Sequence, residues 1–434
     1  MITKIFALVI SLVITVSVQA SPKIEHWQTT NGARVYFVAA PELAMVDIEV
    51  VFDAGSARDG ELSGSALLTN AMLNEGAAGL NTNQIAAEFE NVGAQFSNSS
   101  ERDMAVLSMR TLTADFALKP ALETFRKVLT QPNFPSTSFE RLQKQMLIGL
   151  QAEKQSPAAI ASRAFYTDLY GNHPYAAMPL GDEISVKKLN IAALKAFYQQ
   201  YYVAKNAIVV LVGALTTEQA KALAEHLIAD LPEGKLAKPL AKVATLTSAK
   251  KITIEHPSSQ THIVMGQPGM SRHDADYFAL YVGNHILGGS GLVSQLSNEI
   301  REKRGLSYSA YSYFRPMREL GPYQFGLQTR NDQAKEALDV MQQTLTDFID
   351  KGPTEEELTA AKQNITGGFA LRVDSNSKIA DYTAMIGFYG LPLDYLDSFN
   401  TTVNAITIKQ VKDAFTRRVH PDKMVTILVG GQAE

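Results

Sequence analysis

Gly64-Ser65-Ala66-Leu67-Leu68-Thr69-Asn70-Ala71-Met72-Leu73-Asn74-Glu75-Gly76 has the spacing of a helix with one buried face. Leu67, Leu68 and Met72 pack well as the core side of such a helix, and Gly76 is a candidate C-terminal cap, so a helix is predicted over 63–75. Outward from it, 46–52 and 207–212 are β-branched enough for strands. Helical spacing recurs at 82–92, 114–130, 136–155 and 191–201. Ser136 or Thr137 can cap the helix at 136–155, and Thr354 with Glu357 forms a capping box at the matching place later in the chain.

That later place belongs to a repeat. Pro135 matches Pro353, Lys144-Gln145 matches Lys362-Gln363, and Tyr170-Gly171 matches Tyr389-Gly390. Ala196-Phe197 matches Ala414-Phe415, and Leu211-Val212-Gly213 matches Leu428-Val429-Gly430. The near-constant offset is too long for a solenoid unit, which runs about 20–50 residues, and implies a duplicated domain. Leu231-Pro232-Glu233-Gly234 through Lys238-Pro239 has the composition of an exposed connection. The expected domains are 21–232 and 248–434, joined by a linker at 233–247. Strands at the ends of each half and helices in consecutive runs favour an α+β fold. Each half is then a mostly antiparallel sheet with helices packed on one face.

The chain has 434 residues, 46% of them hydrophobic, and a formal net charge of −4 with no long run of one sign. Nucleic acid is therefore an unsuitable partner. Lys4, the apolar run from Ile5 to about Val18, and Val18-Gln19-Ala20 read as a cleavable signal peptide over 1–20. The run is short of the roughly 20 apolar residues that a membrane span needs. Cysteine is absent, which excludes disulfides, thiolate metal sites, a cysteine nucleophile and a lipidated N-terminal cysteine. The expected location is the periplasm, with an uncleaved anchor as the alternative.

The stretch from Gly64 to Gly76 resembles the pitrilysin/insulinase (inverzincin) zinc metallopeptidases, whose members carry H-x-x-E-H in that register. Here the register reads Leu67-Leu68-Thr69-Asn70-Ala71. Two His at i and i+4 on one helix face would supply two zinc donors, and Leu67 and Ala71 cannot. Asn70 stands where the family's carboxylate activates water, and an amide is no general base near neutral pH. A third ligand, a Glu on a later helix, would fall near Ile148 or Gly149; Glu140 and Glu153 lie too far along to replace it. The chain is thus expected to hold no metal. None of its eight histidines stands in a metal-binding pattern, and no G-x-S-x-G or S-x-x-K element supports a serine hydrolase.

A second motif runs Leu287-Gly288-Gly289-Ser290-Gly291-Leu292-Val293, then Glu299-Ile300-Arg301-Glu302-Lys303-Arg304-Gly305-Leu306-Ser307-Tyr308. It is similar to the family's second-domain signature, which places an Arg and, seven residues on, a Tyr at the active-site chamber. Arg301 and Tyr308 have that spacing. The resemblance implies that the phenol donates to an oxyanion and the guanidinium binds substrate carbonyls or carboxylates. Helix-dipole compensation for Arg301 and ordinary packing for Tyr308 are the alternatives. Gly288, Gly289 and Gly291 suit close approach of a peptide backbone; no P-loop Lys follows them.

The resemblance covers the whole mature chain and implies a non-catalytic subunit. Its partner would be a homologous chain bearing H-x-x-E-H and the zinc, with peptides or unfolded polypeptide as substrate. By position, 94–100 and 105–110 are candidates for a sheet edge that an extended peptide could join. A stand-alone peptide-binding or chaperone-like protein and a structural assembly subunit are the other classes.

Overall fold

The computed structural model describes residues 23–431; the expected signal segment 1–20 lies outside the described residues. Two sheets are built in the same order. The first half has β1 (Ile24–Gln28), β2 (Arg34–Ala39), β3 (Met45–Phe52), the short hairpin β4 (Gly76–Ala77) and β5 (Leu80–Asn81), β6 (Gln95–Ser100), β7 (Ala105–Leu112) and β8 (Ala207–Gly213). The second has β9 (Lys250–Glu255), β10 (Gln260–Pro268), β11 (Ala310–Phe314), β12 (Pro322–Arg330) and β13 (Val425–Gly430). The sheets run β6-β7-β3-β8-β2-β1 and β11-β12-β10-β13-β9. Each is antiparallel except for one parallel pair at the same place, β2 with β8 and β9 with β13. Residues 232–249 between them contain neither helix nor strand.

Strand alternation sets what each face receives. Val46, Ile48, Val50 and Phe52 of β3 join a core with Leu68 and Met72 of the helix Ser65–Met72 and Phe125 of the helix Asp115–Thr130. The opposite face is covered from the other half. The helix Asn376–Tyr389 lies across β8, β3 and β2, while the helix Pro157–Tyr170 of the first half lies across β10 and β13. Ala161, Phe165 and Leu169 share a core there with Val264, Ile427 and Val429. The exchange is close-fitting: a Cβ on Gly387 would lie 2.7 Å from Cε2 of Tyr36. The Arg34 guanidinium donates to the Gly387 carbonyl at 3.0 Å.

Several sequence expectations shift locally. The helix predicted over 63–75 is α-helical at Ser65–Met72 and tightens to a 3-10 turn at Leu73–Glu75. Gly76 does end it, in extended backbone, and a Cβ there would meet the Pro135 ring at 2.8 Å. The helix Ser136–Glu153 begins after Pro135 with no side-chain cap, so neither Ser136 nor Thr137 caps it. The Thr354/Glu357 capping box is present. Of the two expected edge strands, β6 is an edge, but β7 lies between β3 and β6 with both sides of its backbone paired. It cannot accept a peptide strand.

Candidate functional site

The helix Ser65–Met72 starts at Gly64, whose φ of +99° is in the left-handed region that glycine tolerates. The carboxylate of Asp59 accepts from the backbone N–H groups of Gly64 and Ala66, both at 2.7 Å. Burial pushes Asp59 up to about 7, against the opposing pull of those two donors. The helix therefore has a firmly built N-terminus, as an active-site helix would. Its chemistry is apolar. Asn70 is only 2% exposed and donates to the Tyr202 hydroxyl at 3.3 Å, and its carbonyl accepts from Asn98 at 2.7 Å. Leu67 packs against the same core.

The helix Ser136–Glu153 packs on this one, where a third ligand would have to stand. Ile148 there is 59% exposed and offers no donor atom. Glu153 is paired with Arg163, and Glu140 is exposed. Glu75 is bound to Arg141 at 2.5 Å and takes a hydrogen bond from Thr82. Among the described residues no group of three or more His, Asp or Glu could hold a metal. The residues at this helix do not fit a zinc ion.

The second motif folds into a compact pair. Asn298–Glu302 is a π-helical turn, Gly305 reverses the chain at φ +63°, and Tyr308 stands two residues before β11. The Arg301 guanidinium carbon sits 4.5 Å from the Tyr308 ring centroid, and Arg301 Nε reaches Glu302 at 3.4 Å. Tyr308 is 81% exposed, far more than a packing role would leave. The pair lines a cavity of about 300 Å³ with Gln260, Ser307 and Gln328.

Gly288, Gly289 and Gly291 line a different cavity of about 590 Å³. A Cβ on Gly288 would be 2.3 Å from Ser312 Oγ and 2.6 Å from the Ser312 nitrogen. That glycine brings its turn against β11. Gly291 has φ +65° and no close neighbour.

A further group of polar and charged residues carries no sequence motif, because both halves supply it. Glu101 and Arg315, at the ends of the two edge strands, pair at 2.7 Å. Arg102 is buried with its guanidinium 3.7 Å from the Tyr166 ring centroid. Asp103 accepts from the hydroxyls of Tyr175 at 2.6 Å and Tyr389 at 3.0 Å. These contacts floor a cavity of about 430 Å³ between the halves, and no sequence signal joins residues so far apart.

The insulinase (peptidase family M16) model matches residues 34–183, and the peptidase M16 inactive domain model matches 188–365. A crystal structure of a peptidase M16 inactive domain from Pseudomonas fluorescens is 42% identical, covers 94% of this chain and 98% of its own, and superposes with a TM-score of 0.92. The chain belongs to the M16 peptidase family. Within M16 it is similar to the non-peptidase homolog YmxG of Helicobacter pylori, 26% identical with 94% of each chain covered. It is also similar to an uncharacterized zinc protease, YmxG of Bacillus subtilis, 24% identical over 82% of this chain and 86% of that one. With Leu67, Asn70 and Ala71 at the ligand and base positions, it is an inactive M16 homologue.

Proposed function

We propose that this chain is the non-catalytic subunit of a periplasmic heterodimeric M16 endopeptidase. The partner is a homologous chain with H-x-x-E-H intact, which holds the zinc that polarises the scissile carbonyl. Arg301 and Tyr308 act in trans on peptide held between the chains. The Tyr308 hydroxyl donates to the oxyanion of the tetrahedral intermediate, and the Arg301 guanidinium orients a substrate carbonyl or carboxylate. Gly289 and Gly291 let the peptide backbone approach, while Gly288 seats their turn on β11. The observation carrying this reading is the exposed Tyr308 held against Arg301 in a chain whose ligand positions are apolar.

Co-purification from the native periplasm, followed by peptidase assay of the complex, tests it. Tyr308→Phe should lower turnover of the complex by about 10²–10³. Unchanged turnover, or isolation of the chain without a zinc-bearing partner, would overturn the assignment. A stand-alone peptide-binding protein is the second reading, favoured by the cavity that the two halves of one chain form without a partner.

A further inference from the structure

Arg272 and Arg372, in the space between the halves, have no carboxylate partner among the described residues. Arg272 follows β10, and Arg372 ends the short turn Ala370–Arg372 before the exchanged helix Asn376–Tyr389. Arg272 Nη1 donates to the Tyr277 hydroxyl at 3.2 Å, and its buried Nε has no hydrogen-bond partner among the described residues. Its guanidinium carbon is 5.4 Å from the Tyr389 ring centroid. Arg372 Nη1 donates to the Tyr281 hydroxyl at 2.9 Å. Tyr277 and Tyr281 stand one turn apart on the helix Tyr277–Asn284, and their rings stack at 6.2 Å. Their hydroxyls thus bring both guanidiniums to one wall. Both arginines line the two cavities, of about 430 and 590 Å³, which also share Tyr277 and Tyr281.

The nearby acids are engaged elsewhere. Asp274 pairs with Arg418, and Asp276 with Arg417 and Arg418. Glu101 pairs with Arg315, and Asp103 is occupied by two phenols. Asp381 accepts a hydrogen bond from the protonated Glu49. Arg372 is also hydrogen-bonded to Tyr382; a phenol oxygen is a neutral acceptor, so these bonds leave the charge of both guanidiniums uncompensated and Arg272 Nε without an acceptor. Tyr382, Met385, Tyr395 and Phe399 add aromatic and apolar surface to the cavity, which the engaged Glu101, Asp103 and Asp381 also line. Unpaired positive charge beside an apolar wall suits an anion attached to an apolar body, and the planar fork of Arg matches a carboxylate bidentately.

We propose that Arg272 and Arg372 form a carboxylate-recognition site for peptides, taking a carboxylate that adjoins an aromatic or large aliphatic side chain. The inference rests on the peptide-binding part of the function proposed above. The carboxylate can be a peptide C-terminus or an Asp or Glu side chain.

Fluorescence anisotropy with the purified chain and three labelled hexapeptides separates these cases. One ends in Leu-Phe with a free carboxylate, one is its C-terminal amide, and one is the amide with Glu preceding Phe. At least one carboxylate-bearing peptide should bind tenfold or more tighter than the plain amide, with affinity falling as salt rises. Gain by the free acid alone identifies a C-terminal site; gain by the Glu peptide identifies a side-chain site. Arg272→Gln with Arg372→Gln should abolish about tenfold to hundredfold of that preference and leave amide binding unchanged, which also reports an intact fold. Equal binding of all three peptides, or a preference that survives the double substitution, would overturn the carboxylate site while peptide binding stands. Binding of none would overturn both. If the double variant does not fold, the acid-versus-amide comparison in the unaltered chain still decides.

Discussion

Glu49 stands in the middle of β3, 7% exposed, opposite Ser108 on one side and Val210 on the other, and faces the exchanged helix. Burial first, then the neighbouring Asp381 and Asp47, pushes its carboxyl up to about 8, and the protonated Glu49 donates to Asp381. Arg110 is committed to Asp47 at 2.9 Å. In the unfolded chain Glu49 ionises near its ordinary value of 4.5. Between that value and about 8 the native state holds a proton the unfolded state has lost, so stability falls as pH rises and levels off above 8. At about 1.4 kcal/mol per pH unit of separation, the loss is roughly 3–5 kcal/mol. For about 400 residues unfolding together this corresponds to roughly 4–6 °C in melting temperature. Glu49→Gln keeps a donor toward Asp381 and removes the titration. Calorimetry at pH 5 to 9 should give nearly equal melting temperatures for the two proteins at pH 5 and a Glu49→Gln protein that is the more stable above pH 8. Parallel profiles across that range would refute the assignment of a shared proton to this pair.

Other perturbations report on separate parts of the molecule. Restoring Leu67→His and Ala71→His should yield neither stoichiometric zinc by elemental analysis nor peptide cleavage, because Asn70 and Ile148 remain. Adding Asn70→Glu buries a carboxylate beside Tyr202 and should cost roughly 2–3 kcal/mol in urea unfolding. Gly288→Ala drives a methyl into Ser312 and should lose about 1–3 kcal/mol by the same measurement. Gly387→Ala presses on Tyr36 across the exchange, with a similar loss of about 1–3 kcal/mol. Because that contact joins the halves, a single unfolding transition should shift as a unit in calorimetry; a split into two transitions would contradict the exchange.

Local periodicity made the helix at Ile191–Tyr201 and the strands β3 and β8 legible, because their apolar positions repeat with the spacing of the element itself. Arg301 and Tyr308 were singled out by the family resemblance and not by periodicity, and their stacking contact depends on the reversal at Gly305. Strand order was not: nothing in 105–110 says that β6 will cover it. The helix Pro157–Tyr170 lies outside the expected set although Ser156 and Pro157 form a start signal. Even once found, its apolar face says that it is buried and not that it lies on the other half's sheet. Arg272 and Arg372, separated by a hundred residues, line the same cavities through their bonds to Tyr277 and Tyr281, which no local pattern announces.

The reciprocal helices bear on how such a chain persists. A duplicated enzyme whose first copy lost its metal could shed that copy if the halves were independent. Here Pro157–Tyr170 closes the second sheet and Asn376–Tyr389 closes the first. Deleting either half would strip an apolar layer from the survivor. The halves are therefore inherited as a unit, and the half with apolar residues at the ligand positions is free to diverge in chemistry while being held to its shape.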